Sequence, residues 1–250
     1  MRILIVNDDG IASMGLRKLA EAARHFGSVT VVAPKEQCSA MSHRITIRKD
    51  LRLVKVVFPV PEVEAYHLSG TPADCVKTAV RYVMKEKPDY VFSGINNGYN
   101  VGFDIAYSGT VAAAMEGLMN GIKAIAFSHS FFGDLSDEDF SVTDSYLLPI
   151  MEEIIACNKE RDCVWNVNIP ECGKQALKGI LWDRKIASFQ IFEDRFLSVG
   201  RQENEEIIRE DGVRRDLRDT GTETDVGAVM GNYISIGKIK SSLIDISEFG

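Results

Sequence analysis

Asp8 and Asp9 stand side by side at the end of an apolar run, Arg2-Ile3-Leu4-Ile5-Val6-Asn7-Asp8-Asp9-Gly10. Two adjacent carboxylates repel each other unless a cation or a shared proton intervenes, and a divalent metal would satisfy both. The same residues also make a good turn, because Asn and Asp side chains bond nearby backbone groups and Gly accepts positive φ. On this segment alone a metal centre and an ordinary turn stand level. Fold context favours the metal, since open α/β sheets bind ligands outside the carboxyl ends of their strands.

Two further stretches carry oxygen donors. One holds Ser39, in Gln37-Cys38-Ser39-Ala40 after Ala33-Pro34, and the other runs from Asn96 to Thr110. Carboxylate, hydroxyl and amide oxygens suit Mg²⁺, Mn²⁺ or Ca²⁺, and Mg²⁺ is commonly shared with phosphate oxygens. Histidines 25, 43, 67 and 129 are scattered without metal-ligand spacing, which disfavours a dedicated zinc site. Ser108-Gly109-Thr110 opens a helix-forming run and would offer backbone N–H groups, two hydroxyls and a positive helix end to an anion. A simple N-cap is the plainer alternative. No Walker glycine loop is present, and the first strand–helix turn has only Gly10 and Gly15, short of a dinucleotide fingerprint.

The elements that must position these residues are legible as alternating apolar runs and helix-period segments, the pattern of stacked βαβ units. A strand over Arg2–Asn7 leads to a helix with Leu16, Leu19, Ala20, Ala23 and Phe26 on one face, and Val29–Ala33 is the second strand. Thr71, Pro72 and Asp74 start a helix that should reach about Lys85. Tyr90-Val91-Phe92 is a strand ending in a loop from Ser93 to Asn100, the Ser108 helix stops near Gly121, and Ala124–Ser128 is another strand. An acidic loop at 134–139, an amphipathic helix over Tyr146–Ile155 and a strand at Trp165–Pro170 follow. The expected fold is α/β, a Rossmann-like, doubly wound, mainly parallel sheet with helices on both faces. Residues 1–175 would form the catalytic core. Residues 176–250 would form a β-rich C-terminal arm packed on it, with apolar positions such as Ile186, Phe192 and Leu197 suited to association.

The 250-residue chain is 45% hydrophobic with a net charge of −7, its charges of both signs interspersed. That balance argues against nucleic acid or anionic membrane as a partner and for a small-molecule substrate. Five cysteines without a CxxC pair suggest neither a disulfide framework nor a zinc knuckle, and no run is apolar enough to span a bilayer. A cytoplasmic protein is expected.

Several segments together resemble the SurE family of survival proteins, acid phosphatases and 5′-nucleotidases. They are Asn7-Asp8-Asp9-Gly10, the Ala33-Pro34 to Ser39 loop, Gly70-Thr71-Pro72-Ala73-Asp74-Cys75-Val76, Ser93-Gly94-Ile95-Asn96 with Gly98 and Asn100, Tyr107-Ser108-Gly109-Thr110-Val111, Asn166-Val167-Asn168-Ile169-Pro170 and Thr224-Asp225. The resemblance covers essentially the whole chain. It implies a 5′-nucleotidase dependent on one divalent metal, Mg²⁺ or Mn²⁺, with some action on short polyphosphate. It also implies a C-terminal portion exchanged between the subunits of a homodimer or homotetramer. Carried onto this sequence, Asp8, Asp9, Ser39 and Asn96 would ligate the metal, with Asp8 and Asp9 central to catalysis, and Asn100, Ser108, Gly109 and Thr110 would hold the phosphate. A catalytically weak nucleotide-binding or sensing module is the alternative. The chain departs from the family pattern at Ala40, Met14, Cys38 and Gly237-Lys238. Glu116 and Asp104 are candidate proton donors, though a helix-surface role fits them too. Asp225 either approaches the site from the C-terminal segment or simply follows a helix cap. His43 and His129 read as structural residues.

Overall fold

A computed structural model describes residues 1–130, 139–157, 162–217 and 220–240. The expected acidic loop lies outside the described residues except for Asp139. In chain order the main elements are β1 (Arg2–Val6), α1 (Met14–Ala23), β2 (Ser28–Pro34), β3 (Leu53–Val56), β4 (Glu64–Leu68), α2 (Pro72–Thr78), β5 (Tyr90–Asn97) and α3 (Gly109–Met119). They continue with β6 (Lys123–His129), α4 (Ser141–Cys157), β7 (Cys163–Ile169), β8 (Gly179–Arg184), β9 (Phe192–Glu193), β10 (Phe196–Gln202), β11 (Glu205–Glu210), β12 (Val213–Arg214), α5 (Asp225–Met230) and β13 (Tyr233–Lys240).

Nine strands form one sheet in the order β3-β4-β2-β1-β5-β6-β7-β13-β8. The run from β4 to β7 is parallel, while β3 pairs antiparallel with β4 and β13 antiparallel with β7. The chain proceeds outward from β1 in one direction through β2 and in the other through β5, so a crevice opens between the carboxyl ends of β1 and β5. That reversal is where doubly wound sheets place their ligands. Leu16, Leu19, Ala20 and Ala23 of α1 and Ile150, Met151 and Ile154 of α4 bury one sheet face, together with Ile3, Ile5 and Phe92. Val76 of α2 and Val111, Ala114 and Leu118 of α3 bury the other, with Leu4, Val6 and Val91. The central strand β1 therefore feeds a core on both sides, which is why Ile3 to Val6 read as a continuous apolar run rather than an alternating one.

Several elements differ from the sequence expectation, among them α4, which spans Ser141–Cys157 rather than Tyr146–Ile155. The strand begun at Tyr90 does not stop at Phe92: its pairing with β6 breaks after Ser93 and resumes with Asn96 opposite Ser128 and Asn97 opposite His129. Asn96 thereby sits on a hydrogen-bonded strand end, not in a free loop. The helix begun at Pro72 keeps α geometry only to Thr78, passes into a wider π turn over Ala79–Val83, and ends as Met84 returns to extended backbone. Strands β3 and β4 escape a hydrophobicity scan because they are short and partly exposed. Two strands from beyond residue 175, β8 and β13, join the main sheet, whereas the β10–β11 hairpin and the β9–β12 ribbon stand outside it.

Candidate active site

The turn after β1 is built by Asn7, whose side-chain amide donates to the Gly10 carbonyl (3.1 Å) and to Ser13 Oγ (2.8 Å). Ser13 in turn caps α1 by accepting from the Leu16 N–H. The two following carboxylates are thus held at the sheet's carboxyl edge, and they occupy different surroundings.

Asp8 is 3% exposed. Its Oδ1 accepts from Thr110 Oγ1 (2.5 Å) and its Oδ2 from the Thr110 backbone N–H (3.1 Å), so the carboxylate lies against the positive end of α3. Gly109 makes this approach possible, because a Cβ there would lie 2.8 Å from Asp8 Oδ2 and 2.9 Å from Asp8 Cβ. Burial pushes the Asp8 carboxyl above its ordinary range, opposed by the hydrogen bonds from Thr110. Among the described residues no Lys, Arg or His forms an ion pair with it. Asp9 is half-buried, and its Oδ2 accepts from the Asn97 N–H at the end of β5 (3.0 Å). The neighbouring Asn96 donates its amide to the Gly98 carbonyl (2.8 Å), which leaves Asn96 Oδ1 as its ligand-capable atom.

Ser39 comes from the loop after β2. The Cys38 N–H donates to the Asp8 carbonyl (2.7 Å), and Gln37 Nε2 donates to Ser39 Oγ (2.9 Å). The rest of this loop is strapped across two helix starts. Ser42 bonds the Tyr107 and Ala106 carbonyls, the Thr71 hydroxyl donates to the Arg44 carbonyl, and Thr46 donates through N–H and hydroxyl to Asp74. His43 Nε2 lies 3.0 Å from Glu116 Oε2. Burial opposes Glu116 ionisation, yet the His43 and Asn120 hydrogen bonds and the Lys77 charge outweigh it and hold the carboxyl below its ordinary range. A buried, ionised and fully engaged Glu116 secures the Ser39 loop and is a poor source of a proton.

Asn100 is buried in a polar cage. Its N–H donates to Asn168 Oδ1 (2.8 Å), its carbonyl accepts from Asn166 and Asn168 side chains (2.8 and 3.1 Å), and its own amide donates to Ser128 Oγ (2.7 Å). Asn166, Asn168 and Ser128 were not singled out from the sequence as site residues. The signal was there: polar residues two apart within the apolar strand Cys163–Ile169 share one face. Asp225 does reach this region, but through backbone. Its Oδ2 accepts from the Gly102 N–H and its Oδ1 from the Ala187 N–H, both at 2.9 Å, while Thr224 caps α5. The C-terminal segment thus fixes the loop that follows Asn100.

Ser108 spends its hydroxyl as the N-cap of α3, accepting from the Val111 N–H (3.0 Å), and Thr110 is committed to Asp8. His129 is structural, its Nδ1 within 2.9 Å of the Thr143 hydroxyl and its ring stacked on Phe140.

These donors fit a hard cation. The candidate set offers two carboxylates, a hydroxyl and an amide oxygen, the oxygen donors that Mg²⁺ and Mn²⁺ prefer, and among the described residues no three His, Cys, Asp or Glu side chains cluster. Asp8 is the stronger indication, since a buried anion met only by N–H and O–H groups is short of positive charge.

The chain is similar to known proteins over nearly its full length. Residues 3–190 match the family model described as survival protein SurE. A protein named 5′-nucleotidase SurE from Clostridium botulinum (strain Loch Maree / Type A3) is 37% identical over 250 residues, covering 99% of this chain and 96% of its own. Its namesake from Thermoanaerobacter sp. (strain X514) is 38% identical over 251 residues, covering 100% and 94%. The crystal structure of the SurE protein from Aquifex aeolicus superposes with a TM-score of 0.81 at 32% identity, covering 99% of this chain and 96% of that one. With the same fold, the same span and the motif-bearing loops gathered at one sheet edge, this chain belongs to the SurE family.

Proposed function

We propose that the crevice between β1 and β5 hydrolyses nucleoside 5′-monophosphates to nucleoside and phosphate, using one divalent cation. Membership of a family whose curated relatives are named 5′-nucleotidases supports a nucleotidase, a hydrolase of phosphoric monoesters. The observation that carries the local assignment is Asp8, a buried carboxylate without a cationic partner among the described residues, placed beside Asp9 and at the start of α3.

Asp8, Asp9, Ser39 and Asn96 would hold Mg²⁺ or Mn²⁺, whose chemistry there is to polarise the phosphoryl group and to lower the pKa of water. The protein's part is preorganisation. Thr110 and Gly109 hold Asp8 in position, Asn97 holds Asp9, and the strapped loop holds Ser39. Asn100 and Ser108 would meet negative charge growing on the phosphoryl oxygens through the second amide N–H of Asn100 and the hydroxyl hydrogen of Ser108, while Thr110, with both donors on Asp8, would act through that carboxylate. Residues 1–175 carry all of these groups. The exposed apolar side chains of the C-terminal hairpin fit self-association as a homodimer or homotetramer. No described helix is long and apolar enough to cross a membrane, in keeping with a cytoplasmic enzyme acting on a small-molecule nucleotide. Short polyphosphate would be a secondary substrate.

Hydrolysis of p-nitrophenyl phosphate and a panel of nucleoside monophosphates, with Mg²⁺ or Mn²⁺ and then with excess EDTA, tests this. Metal-dependent release of phosphate is expected. Undiminished activity in EDTA would remove the metal assignment, and nucleotide binding without turnover under any metal would make the protein a binding module.

A further inference from the structure

Strands β7 and β13 pair antiparallel, with Asn168 opposite Ser235 and Asn166 opposite Gly237. Val164 and Ile239 of the same strands pack into the core beneath α3, so by strand alternation Asn166, Asn168, Ser235 and Gly237 face that side as well. Two buried polar atoms on this face, Asn166 Oδ1 and Ser235 Oγ, have no hydrogen-bond partner among the described residues. The Asn166 amide is oriented by the Asn100 carbonyl, which can only accept, so its oxygen is the end left over. A buried polar atom left unpaired is costly, and two on one face ask for a third group between them.

Both residues line one small cavity, of about 10 Å³, together with Asp225, Arg184, Gly237 and Lys238. Such a space holds one water molecule, which needs roughly 10–15 Å³, and nothing larger. Gly237 makes the room: it sets no side chain over Asn166, and a Cβ there would lie 2.6 Å from the Arg184 carbonyl oxygen. The two basic side chains of the wall are engaged elsewhere, Arg184 with the Trp182 and Thr222 carbonyls and Lys238 over the Trp165 ring at 4.6 Å. Asp225 supplies a third polar group. Its Oδ1 accepts from the Ala187 and Val226 N–H groups, whereas among the described residues its Oδ2 accepts from the Gly102 N–H alone, which leaves that oxygen capacity for a further donor.

We propose that one buried water occupies this cavity, accepting from the Ser235 hydroxyl and donating to Asn166 Oδ1 and Asp225 Oδ2, and that Ser235 is thereby a positioning residue for Asn100. Both unpaired atoms are then satisfied, and the water makes the roughly three hydrogen bonds usual for buried water. The basic side chains on the wall favour a neutral occupant over a monovalent cation. The consequence reaches the candidate active site. Asn166 holds the Asn100 carbonyl and Asp225 holds the Gly102 N–H, so the water joins the two clamps on the segment that carries Asn100. The link to catalysis rests on the phosphomonoesterase reading above, whereas the water itself does not.

A high-resolution crystal structure of the full-length wild-type chain should show a single density peak about 2.7–3.2 Å from all three atoms. A dry cavity, or Ser235 Oγ bonded directly to Asn166, would overturn the water. Hydrogen exchange separates positioning from general support. In Ser235→Ala the Gly102 amide should exchange about fivefold faster, the worth of one net hydrogen bond, while the amides of β1 and β6 keep their wild-type rates. Uniform acceleration throughout the sheet, or none at Gly102, would reduce Ser235 to a packing role. In the folded variant kcat/KM for p-nitrophenyl phosphate should fall by about threefold or more, and in wild type it should be the same in sodium and potassium buffers. An unchanged kcat/KM in the variant would overturn the positioning of Asn100, and a dependence on the monovalent ion would give the cavity to a cation instead of water. If the wild-type chain hydrolyses no phosphate ester, the phosphatase reading fails by itself, and the density and the exchange rates still decide the water and the clamp.

Discussion

The carboxyl edge of the sheet and the C-terminal hairpin solve opposite problems with the same chain. At the edge, Asp8, Asn100 and Asn168 are buried polar groups, and each is met by several donors or acceptors aimed from a different element. On the β10–β11 hairpin, Phe196 is 61% and Ile208 60% exposed, and the ladder's own backbone pairing is the main support. Burying polar groups is costly unless each finds a partner, so the edge is over-determined and intolerant of change. Exposed apolar side chains cost the hairpin little until another surface is offered, and they then favour association. The edge is held by paired buried polar groups, and the hairpin keeps apolar side chains in solvent.

The contrast can be broken most forcefully at Asp8. Asp8→Asn removes the charge that would bind the cation and turns an amide toward the Thr110 donors. Activity should fall by about 10³-fold or more with p-nitrophenyl phosphate as the readout. Substantial residual metal-dependent turnover would move the centre of the site elsewhere.

His129 tests whether the edge also governs stability. Burial holds its imidazole down, to a pKa of about 4 against an ordinary 6.5. The unfolded chain therefore binds a proton between those values that the folded chain refuses, so stability falls as pH drops from about 6.5 toward 4. The loss amounts to about 3 kcal/mol at full effect. Denaturant unfolding from pH 7 to 4.5 should show this slope, and His129→Gln should flatten it. An equal slope in the variant would assign it to other groups.

Gly109→Ala probes the tight approach of α3 to Asp8. The added methyl would meet Asp8 Oδ2 at 2.8 Å, and overpacking of this kind costs about 1–3 kcal/mol. Because the displaced group is the proposed ligand, activity should fall by more than the loss of folded protein explains, as measured by turnover corrected for folded fraction. A proportional fall would reduce Gly109 to a packing role.

The smallest folding effect belongs to the hairpin. Ile208→Lys should change chain stability by about 0.5 kcal/mol or less, because the site is exposed and unpacked. Light scattering should nevertheless show a smaller assembly than wild type. A large loss of stability with unchanged assembly would invert the comparison.

Much of this edge was readable from local chemistry. Asp8-Asp9 after an apolar run, Thr71-Pro72 and Ser108-Gly109 at helix starts, and the buried strands Arg2–Val6 and Cys163–Ile169 all follow from periodicity and capping. Other parts were hidden for identifiable reasons. The continuation of β5 through Asn97 depends on β6 resuming its pairing after an irregularity, which no local pattern encodes. The half-exposed β3 and β4 lack a strong hydrophobic signal, and β13 enters the sheet beside a strand far away in sequence. Thr110 looked like a phosphate donor because its neighbours start a helix, yet both of its donors are turned onto Asp8.

By itself the sequence determined which residue types are available and which short segments can be strands, helices and caps, because those properties are set by side-chain chemistry and neighbours a few positions away. Only the tertiary structure decided how the donors are divided. It gave Thr110 to Asp8, Asn97 to Asp9, Asn168 to Asn100, Asp225 to Gly102 and His43 to Glu116. Each pairing joins residues far apart in the chain, and its partner is fixed by where the sheet order places two strand ends or two helix starts, which is a global property of the packed molecule.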